Sequence, residues 1–393
     1  MRPRLVPCAV ILSLSIMSCA PGAALDIEQR IRSVEDGLLK KNNDPLQKRM
    51  KLADRMKHYN VPGVSIALIN DFKVEWAKGY GIMEARKDRP VTPDTLFQAA
   101  SVSKPVVAAA VLRLVEAGRL ELDESVNDKL ASWKVPENKF TTEEKVTLRR
   151  LLSHSAGVTV HGFRGYAQGE KIPSFLQILD GRPPANSAPI RVDIVPGTKY
   201  RYSGGGFLIV QQLVMDVLKK RFPEIMQETV LGPLGMTSST FEMRLPENLA
   251  ERAAAGHRRN GRPIVGKWHT HPEMAAASLW TTPSDLARFA IEIMRTRTGE
   301  SGTVLPKRPV DEMLTPQIGN YGLGLAVIDD GRDLFHFMHT GANEGYRCVL
   351  VGYPERGQGV VIMTNGDNGE ALWEEILRSV SVEYGWVRDS TTP

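Results

Sequence analysis

The sequence predicts an α/β (α+β) fold in which an antiparallel sheet, flanked by helices and formed from both ends of the chain, carries a mainly helical subdomain. Two observations support this. Strand-like runs cluster in residues 62–80 and again in residues 321–364, whereas residues 123–270 contain few of them. Strands at both ends with helices between them are expected to share one sheet, with the middle of the chain packed beside it.

Length and composition are those of a globular protein with a sizeable core. The chain has 393 residues, of which 42% are hydrophobic and 24% are charged. The formal net charge is +5, and no basic cluster is interleaved with aromatic residues. Nucleic acid is therefore not expected as a partner, and no protein partner is inferred.

The first 24 residues have the plan of a secretory signal. Two arginines precede an apolar run over residues 5–17, which is too short for a membrane span, and small residues follow it. The stretch that ends at Cys19 resembles a lipoprotein cleavage signal, which would leave Cys19 lipidated. The alternative is ordinary cleavage before Leu25. In both cases we expect export to the periplasm or the medium, with a lipid at Cys19 as the one expected membrane attachment.

The first elements of the domain are predicted to be two helices and a hairpin. Helical patterns cover residues 26–41 and 45–58. Two β-rich runs, at residues 62–69 and 72–80, flank a short polar break and predict a β-hairpin.

The rest of the chain divides into a helical middle and a strand-rich end. Helices are predicted in and just after the middle region at 146–154, 206–219, 223–231 and 282–295. Strands and a final helix are predicted at 321–328, 334–339, 346–353, 359–364 and 369–384.

A serine and a lysine lie at the start of an apolar helix. Residues 106–112 are apolar almost all round, which is typical of a buried helix, and Gly118 is a suitable end for it. Ser101 falls at or just before the helix start, and Lys104 lies about one turn further along on the same side. A hydroxyl and an amine held together in this way are suited to act as a nucleophile and its base. The alternative is an ordinary N-cap serine beside a solvated lysine.

Other motifs accompany this pair in a fixed order. Residues 97–104, Tyr202-Ser203-Gly204 and His339-Thr340-Gly341 together resemble the three motifs of the serine β-lactamase and penicillin-binding-protein superfamily, specifically the class C type with its esterases and D,D-peptidases. Further similar stretches are Leu151–Gly157, Leu234–Met236, Tyr321–Gly324 and Thr364–Gly366. The resemblance covers nearly all of the mature chain. It implies a β-lactamase/transpeptidase-like fold and a single catalytic domain over residues 25–393, with a helical insertion at about 123–270.

The resemblance also implies an acyl-enzyme mechanism. Ser101 would be acylated, with Lys104 as the first candidate to take its proton. Lys104 would stay largely charged and draw Tyr202 toward phenolate, and Tyr202 would relay the proton to the leaving group. The backbone N–H groups of Ser101 and Ala342 would hold the oxyanion. The residues implied to contact the substrate are His339, Thr340, Gly341 and Gly204.

Two positions depart from the β-lactamase pattern. Gly204 replaces an asparagine that hydrogen-bonds the substrate amide in β-lactamases, which favours esters, and residues 204–206 are expected to leave room beside Tyr202. His339 replaces the usual lysine, although histidine also occurs here in the D,D-peptidase branch. Because histidine carries little charge at neutral pH, we expect weaker assistance to Tyr202 ionisation and an activity that rises toward alkaline pH.

Three functions therefore remain open. The favoured one is a carboxylesterase that acts on small or medium acyl esters, and the second is a β-lactamase or D,D-peptidase. The third is a non-catalytic penicillin-binding-like sensor, against which the presence of Ser101, Lys104 and Tyr202 argues.

No cofactor or metal is expected. Three histidines of the middle region lack the carboxylates or cysteines that would complete a zinc set, and His154 is expected to be structural. A Gly-x-Ser-x-Gly elbow is absent from the sequence, so the α/β-hydrolase fold is not expected. The three histidines are His257, His269 and His271.

Overall fold

The computed structural model describes residues 22–39, 48–300, 302–329 and 335–386. The predicted signal sequence, with Cys19, lies outside the described residues except for its last three positions. Among the described residues, no helix is both long enough and apolar enough to cross a membrane.

The predicted mixed fold is confirmed, with a six-stranded antiparallel sheet at its centre. The strands of the described chain are β1 (Gly63–Asn70), β2 (Lys73–Gly81), β3 (Phe97–Gln98), β4 (Trp280–Thr281), β5 (Ala326–Ile328), β6 (His336–Asn343), β7 (Tyr346–Tyr353) and β8 (Gln358–Thr364). The sheet order is β2-β1-β8-β7-β6-β5, while β3 and β4 form a separate pair. The pairing of β1 with β8, from Val64 opposite Thr364 to Ile69 opposite Gly359, joins the two ends of the chain.

Helices lie on both faces of the sheet and fill the middle of the chain. The α-helices of the described residues are α1 (Gly22–Glu35), α2 (Leu52–Tyr59), α3 (Ser103–Glu116), α4 (Val126–Lys129), α5 (Leu148–Leu152), α6 (Phe175–Asp180), α7 (Gly204–Leu218), α8 (Phe222–Met226), α9 (Glu247–Ala250), α10 (Met274–Ala277), α11 (Pro283–Thr298), α12 (Lys307–Met313) and α13 (Gly369–Glu383). Residues 123–270, all of which are described, contain the long helix α7, several short helices and turns, with only isolated β-bridges.

The predicted hairpin forms, with its turn one residue later than expected. Asp71 and Phe72 have φ angles of 50° and 54°. Positive φ at both central residues defines a type I′ turn, whose twist matches that of the paired strands.

Three predicted elements are shorter than expected. The first helix ends at Glu35, because Leu38 and Met50 exchange backbone hydrogen bonds of 3.1 and 2.9 Å. This bridge also delays the second helix, which begins at Leu52, while residues 45–47 lie outside the described chain. The predicted strand at 321–328 is a strand only in β5, since Gly324 has a φ of 86° and turns the chain just before it.

One hydrophobic core connects the sheet with the helical middle region. It extends from Ala67 in β1 through the apolar face of α3 to Phe207 in α7, all of which are fully buried. A smaller core on the other face of the sheet packs α1, α2 and α13 against β1 and β8. The start of α3 therefore lies where the sheet meets the helices.

Candidate active site

Ser101 lies in a short 3-10 turn, Ala100–Val102, that leads directly into α3. Ala100, fully buried, has a φ of 49°, a left-handed conformation that costs an alanine about 1–2 kcal/mol. Ser103 holds this turn from below: its hydroxyl donates to the Ala100 carbonyl at 2.6 Å and accepts from the Leu279 N–H at 3.0 Å. The position of Ser101 is thus fixed by surrounding packing rather than by helix propensity alone.

The amine of Lys104 contacts the hydroxyl of Ser101. Lys104 Nζ lies 2.9 Å from Ser101 Oγ and 2.7 Å from the carbonyl oxygen of Ala276 in α10. The side chain is almost completely buried, and this loss of water lowers the pKa of Lys104 to about 7. The geometry excludes the alternative of a solvated lysine.

Tyr202 is the third predicted side chain at this point. Its ring centroid lies 5.1 Å from Lys104 Nζ, and its phenol interacts with the Ser101 side chain. Burial raises the pKa of Tyr202 to about 12. The lowered pKa of Lys104 and the raised pKa of Tyr202 differ from the expectation that Lys104 stays charged while Tyr202 ionises. Burial penalises the charged form of both side chains, so neutral Lys104 is the more accessible base.

The ring of His154 packs against the ring of Tyr202. The two ring centroids are 4.2 Å apart, and His154 Nδ1 accepts a hydrogen bond of 3.2 Å from the Ser203 N–H. Burial lowers the pKa of His154 well below its ordinary value, so the imidazole is neutral. These contacts agree with a packing function for His154.

Strand β6 runs past the turn that carries Ser101. A β-carbon at Gly341 would lie 2.1 Å from the Ala99 carbonyl oxygen, so only glycine permits this approach. Thr340 and Ala342 alternate with the buried Gly341 and are exposed, which places them on one face of the strand. The backbone of Ala342 is therefore carried close to the nucleophile turn.

His339 is buried at the start of the same motif. Its Nε2 lies 3.1 Å from the Tyr321 hydroxyl and its Nδ1 lies 2.6 Å from the Thr340 carbonyl oxygen. Burial, together with the charge of Lys104, lowers the pKa of His339 to about 3. The imidazole is consequently neutral at physiological pH.

The space expected beside Tyr202 at Gly204 is already filled. A β-carbon at Gly204 would lie 3.0 Å from Phe163 Cε2 and 3.1 Å from the His161 carbonyl oxygen. The Ser203 hydroxyl donates to the Thr159 carbonyl at 2.7 Å and, as the cap of α7, accepts from the Gly206 N–H at 3.0 Å. These two hydrogen bonds hold the segment at 159–163 against the start of α7. The expectation of open room is therefore wrong, because the segment at 159–163 packs there.

Two cavities flank β6. The first, of about 280 Å³, is called the tyrosine cavity here and is lined by Tyr200, Tyr202, Tyr321, Met338, His339 and Thr340 among others. The second, of about 310 Å³, is called the arginine cavity and is lined by Arg164, Arg259, Arg347, Ala342, Glu344 and Asp367 among others.

Two polar residues that the sequence did not single out tie β6 to the site. Asn343 Nδ2 donates to Gln98 Oε1 at 2.7 Å and to the Ala277 carbonyl at 3.0 Å, while Gln98 Nε2 donates to the His269 carbonyl at 2.9 Å. Both side chains are buried. The sequence feature that could have indicated Gln98 is its polarity, since it interrupts the apolar run before Ser101.

The histidines considered for a metal site bond to backbone groups or are buried: His271 is buried near His269, with its Nδ1 3.9 Å from Glu273 Oε2. His257 bonds the Asn365 carbonyl at 2.8 Å and accepts from the Ala85 N–H, and His269 Nδ1 lies 2.9 Å from the Arg164 carbonyl. Across the described ranges, no group of three or more His, Cys, Asp or Glu side chains could hold a metal ion.

Comparison with known proteins gives one family and several relatives. The β-lactamase family model matches residues 49–380. Penicillin-binding protein 4 of Amycolatopsis lactamdurans is 26% identical over 361 residues, which cover 85% of this chain and 88% of that protein. Protein flp of Staphylococcus aureus is 24% identical over 349 residues, which cover 82% of this chain but only 64% of that protein. The octameric penicillin-binding protein homologue from Pyrococcus abyssi superposes with a TM-score of 0.68 at 23% identity, covering 85% of this chain and 76% of that one.

Proposed function

Because the chain belongs to the β-lactamase family of serine hydrolases, we propose that it forms an acyl-enzyme on Ser101 and prefers small or medium carboxylic esters. The observation that carries the proposal is the 2.9 Å contact between Ser101 Oγ and the buried amine of Lys104. With a pKa of about 7, Lys104 is partly neutral at physiological pH and can accept the Ser101 proton.

The proposed reaction begins when Lys104 takes the proton of Ser101 and Ser101 Oγ attacks the ester carbonyl. The backbone N–H groups of Ser101 and Ala342 stabilise the oxyanion, a contribution worth about 10²–10³ in rate per donor. Tyr202, neutral because of its raised pKa, donates a proton to the departing alkoxide and recovers one from Lys104. Water then releases the acyl group by the reverse proton movements.

The filled space at Gly204 supports the preference for esters. Gly204 itself has no side chain to hydrogen-bond a substrate amide, and the Phe163 ring against it offers no polar group. The polar side chain nearest in this segment is the exposed imidazole of His161, whose ring centroid lies 4.9 Å from that of Tyr202. An ester has no N–H group, so its binding does not depend on a hydrogen-bond acceptor at this position.

Action on β-lactams or D,D-peptides is the second candidate function. The similarity to penicillin-binding protein 4 favours it, and so does the neutral His339, a residue that the D,D-peptidase branch shares. A non-catalytic sensor is the least favoured, because Ser101, Lys104 and Tyr202 are all present and lie together.

We further propose an exported protein with a signal in residues 1–24 and one catalytic domain over residues 25–393. Mass spectrometry of the mature amino terminus separates the two processing routes. Cleavage before Cys19 with an added lipid identifies a lipoprotein, while a terminus at Leu25 identifies ordinary secretion.

The function is tested on purified protein with short-chain p-nitrophenyl esters, a chromogenic cephalosporin and a D-Ala-D-Ala peptide. Ester turnover that disappears in Ser101→Ala, with an acyl adduct on Ser101 by intact mass, is the expected result. Faster turnover of the cephalosporin or the peptide would select the second function. No turnover and no adduct would refute the hydrolase, and turnover by Ser101→Ala would refute the site.

A further inference from the structure

The two cavities beside β6 receive different parts of a substrate. Tyr202, the proposed proton donor to the leaving group, lines the tyrosine cavity together with His339 and Thr340. The leaving group must lie within reach of Tyr202, so it points to that side. The acyl chain then points to the other end of β6, where Ala342 borders the arginine cavity.

The arginine cavity brings three guanidinium groups to the end of β6. Arg164, Arg259 and Arg347 come from three different segments of the chain. Burial lowers the pKa of Arg347, and the charge of Arg259 adds to this effect, while Asp367 and Glu370 oppose it. Like charges that face one cavity gain from an anion placed between them.

Three of the nearby carboxylates form ion pairs, and a fourth, Glu370, adds negative charge near Arg347. Arg164 pairs with Glu170 at 2.9 Å, Arg347 with Asp367 at 3.5 Å, and Glu344 with Arg258. Asp367 also accepts the Gly345 N–H at 2.8 Å. Within the part of the chain that the structure describes, no ion pair is formed by Arg259. Of the three guanidinium groups that line the cavity, Arg259 is therefore the one that no described carboxylate holds in an ion pair.

The backbone of Arg259 is held in place although its side chain is exposed. Its carbonyl accepts from Asn368 Nδ2 at 2.9 Å and from Asn60 Nδ2 at 3.4 Å. The turn around it closes with a hydrogen bond of 2.8 Å from the Gly261 N–H to the Arg258 carbonyl. This guanidinium is consequently presented from a fixed turn.

We propose that the arginine cavity binds a carboxylate at the far end of the substrate's acyl chain, so that the preferred substrates are esters of dicarboxylic acids. Arg259 supplies the guanidinium that no described carboxylate holds in an ion pair. Arg347, whose Nη1 already donates to the Asn343 and Tyr346 carbonyls, adds positive charge beside it. This inference rests on the proposed function, because it needs an acyl chain attached to Ser101 to define its direction.

The test compares mono(4-nitrophenyl) adipate with its neutral counterpart, 4-nitrophenyl methyl adipate, after subtraction of the spontaneous rates. The wild-type kcat/KM should favour the carboxylate ester by about tenfold, and the preference should shrink as salt screens it. Arg259→Gln should remove most of the preference, and Arg259→Glu should reverse it. The matched control is Arg262→Gln, an exposed arginine of the same loop outside the cavity lining, which should retain the preference.

A binding measurement separates this inference from the hydrolase itself. Calorimetry with Ser101→Ala should show tighter binding of the carboxylate ester, lost in Ser101→Ala/Arg259→Gln. Equal turnover of both esters by the wild type would overturn the inference and leave the hydrolase intact. Arg259-dependent binding without any turnover would support the anion site and refute the ester hydrolase. Neither turnover nor differential binding would refute both.

Discussion

The ring of Phe163 lies against Gly204, where a β-carbon would be only 3.0 Å from Phe163 Cε2. The asparagine position of the β-lactamase pattern is thus occupied by a neighbouring segment of the same chain. A side chain at residue 204 would press on the Phe163 ring and on the His161 carbonyl oxygen, so a substitution there acts on packing as well as on the site.

Replacement of Gly204 by alanine should lower the stability of the protein, whereas the same replacement of Gly206 should not. Gly204→Ala should lower the free energy of unfolding by about 1 kcal/mol through overpacking. Gly206→Ala is the matched control: its β-carbon would meet Leu151 Cδ2 at 3.5 Å, an ordinary contact, and alanine favours a helix by about 0.5–1 kcal/mol. Denaturant unfolding of the two variants measures the difference. Equal stabilities of the two variants would show that the segment at 159–163 moves aside without cost and would contradict this prediction.

Loss of the Tyr202 hydroxyl should depend on the leaving group. Tyr202→Phe removes the proposed proton donor, so kcat for an alkyl ester should fall by about 10²–10⁴. A p-nitrophenyl ester of the same acid should lose much less, because its leaving group departs as a stable anion. Steady-state kinetics on the two esters check this. A uniform loss on both would contradict proton donation and indicate a role in positioning.

The pH dependence should follow Lys104. Since Lys104 must be neutral to accept a proton and its pKa is about 7, kcat/KM should rise with pH through that region and level off above it. His339→Lys adds a positive charge beside Lys104, which further disfavours its protonated form and should move the rise about one pH unit lower. His339→Asn, which adds no charge, should leave the position of the rise in place. A profile unchanged by His339→Lys would count against this electrostatic coupling.

The contact between β6 and the nucleophile turn should tolerate no side chain. Gly341→Ala would place its β-carbon 2.1 Å from the Ala99 carbonyl oxygen, so β6 must move away and carry Ala342 with it. We expect kcat/KM to fall by at least about 10², the effect of losing one oxyanion donor. Gly302→Ala, whose β-carbon would have no neighbour nearer than 3.6 Å, is the control. Full activity in Gly341→Ala would exclude Ala342 as the second donor.

Much of this protein follows from the pattern of its residues. The apolar run after Lys104 predicts a buried helix, and short β-rich runs at both ends of the chain predict strands. The order of the motifs identified the family, and β7 has the bounds that the sequence predicts. These features depend on neighbours along the chain, which a sequence displays directly.

The sequence by itself determined which residues could carry acyl transfer, since Ser101, Lys104, Tyr202 and the residues 339–341 are recognisable by type and order. Only the tertiary structure decided their chemical state and surroundings. The burial that lowers the pKa of Lys104 comes from α10 and α7, the ring that fills the space at Gly204 comes from residue 163, and the arginine cavity joins segments more than eighty residues apart. Desolvation and packing depend on groups that are distant in the chain, and for that reason a local pattern cannot contain them.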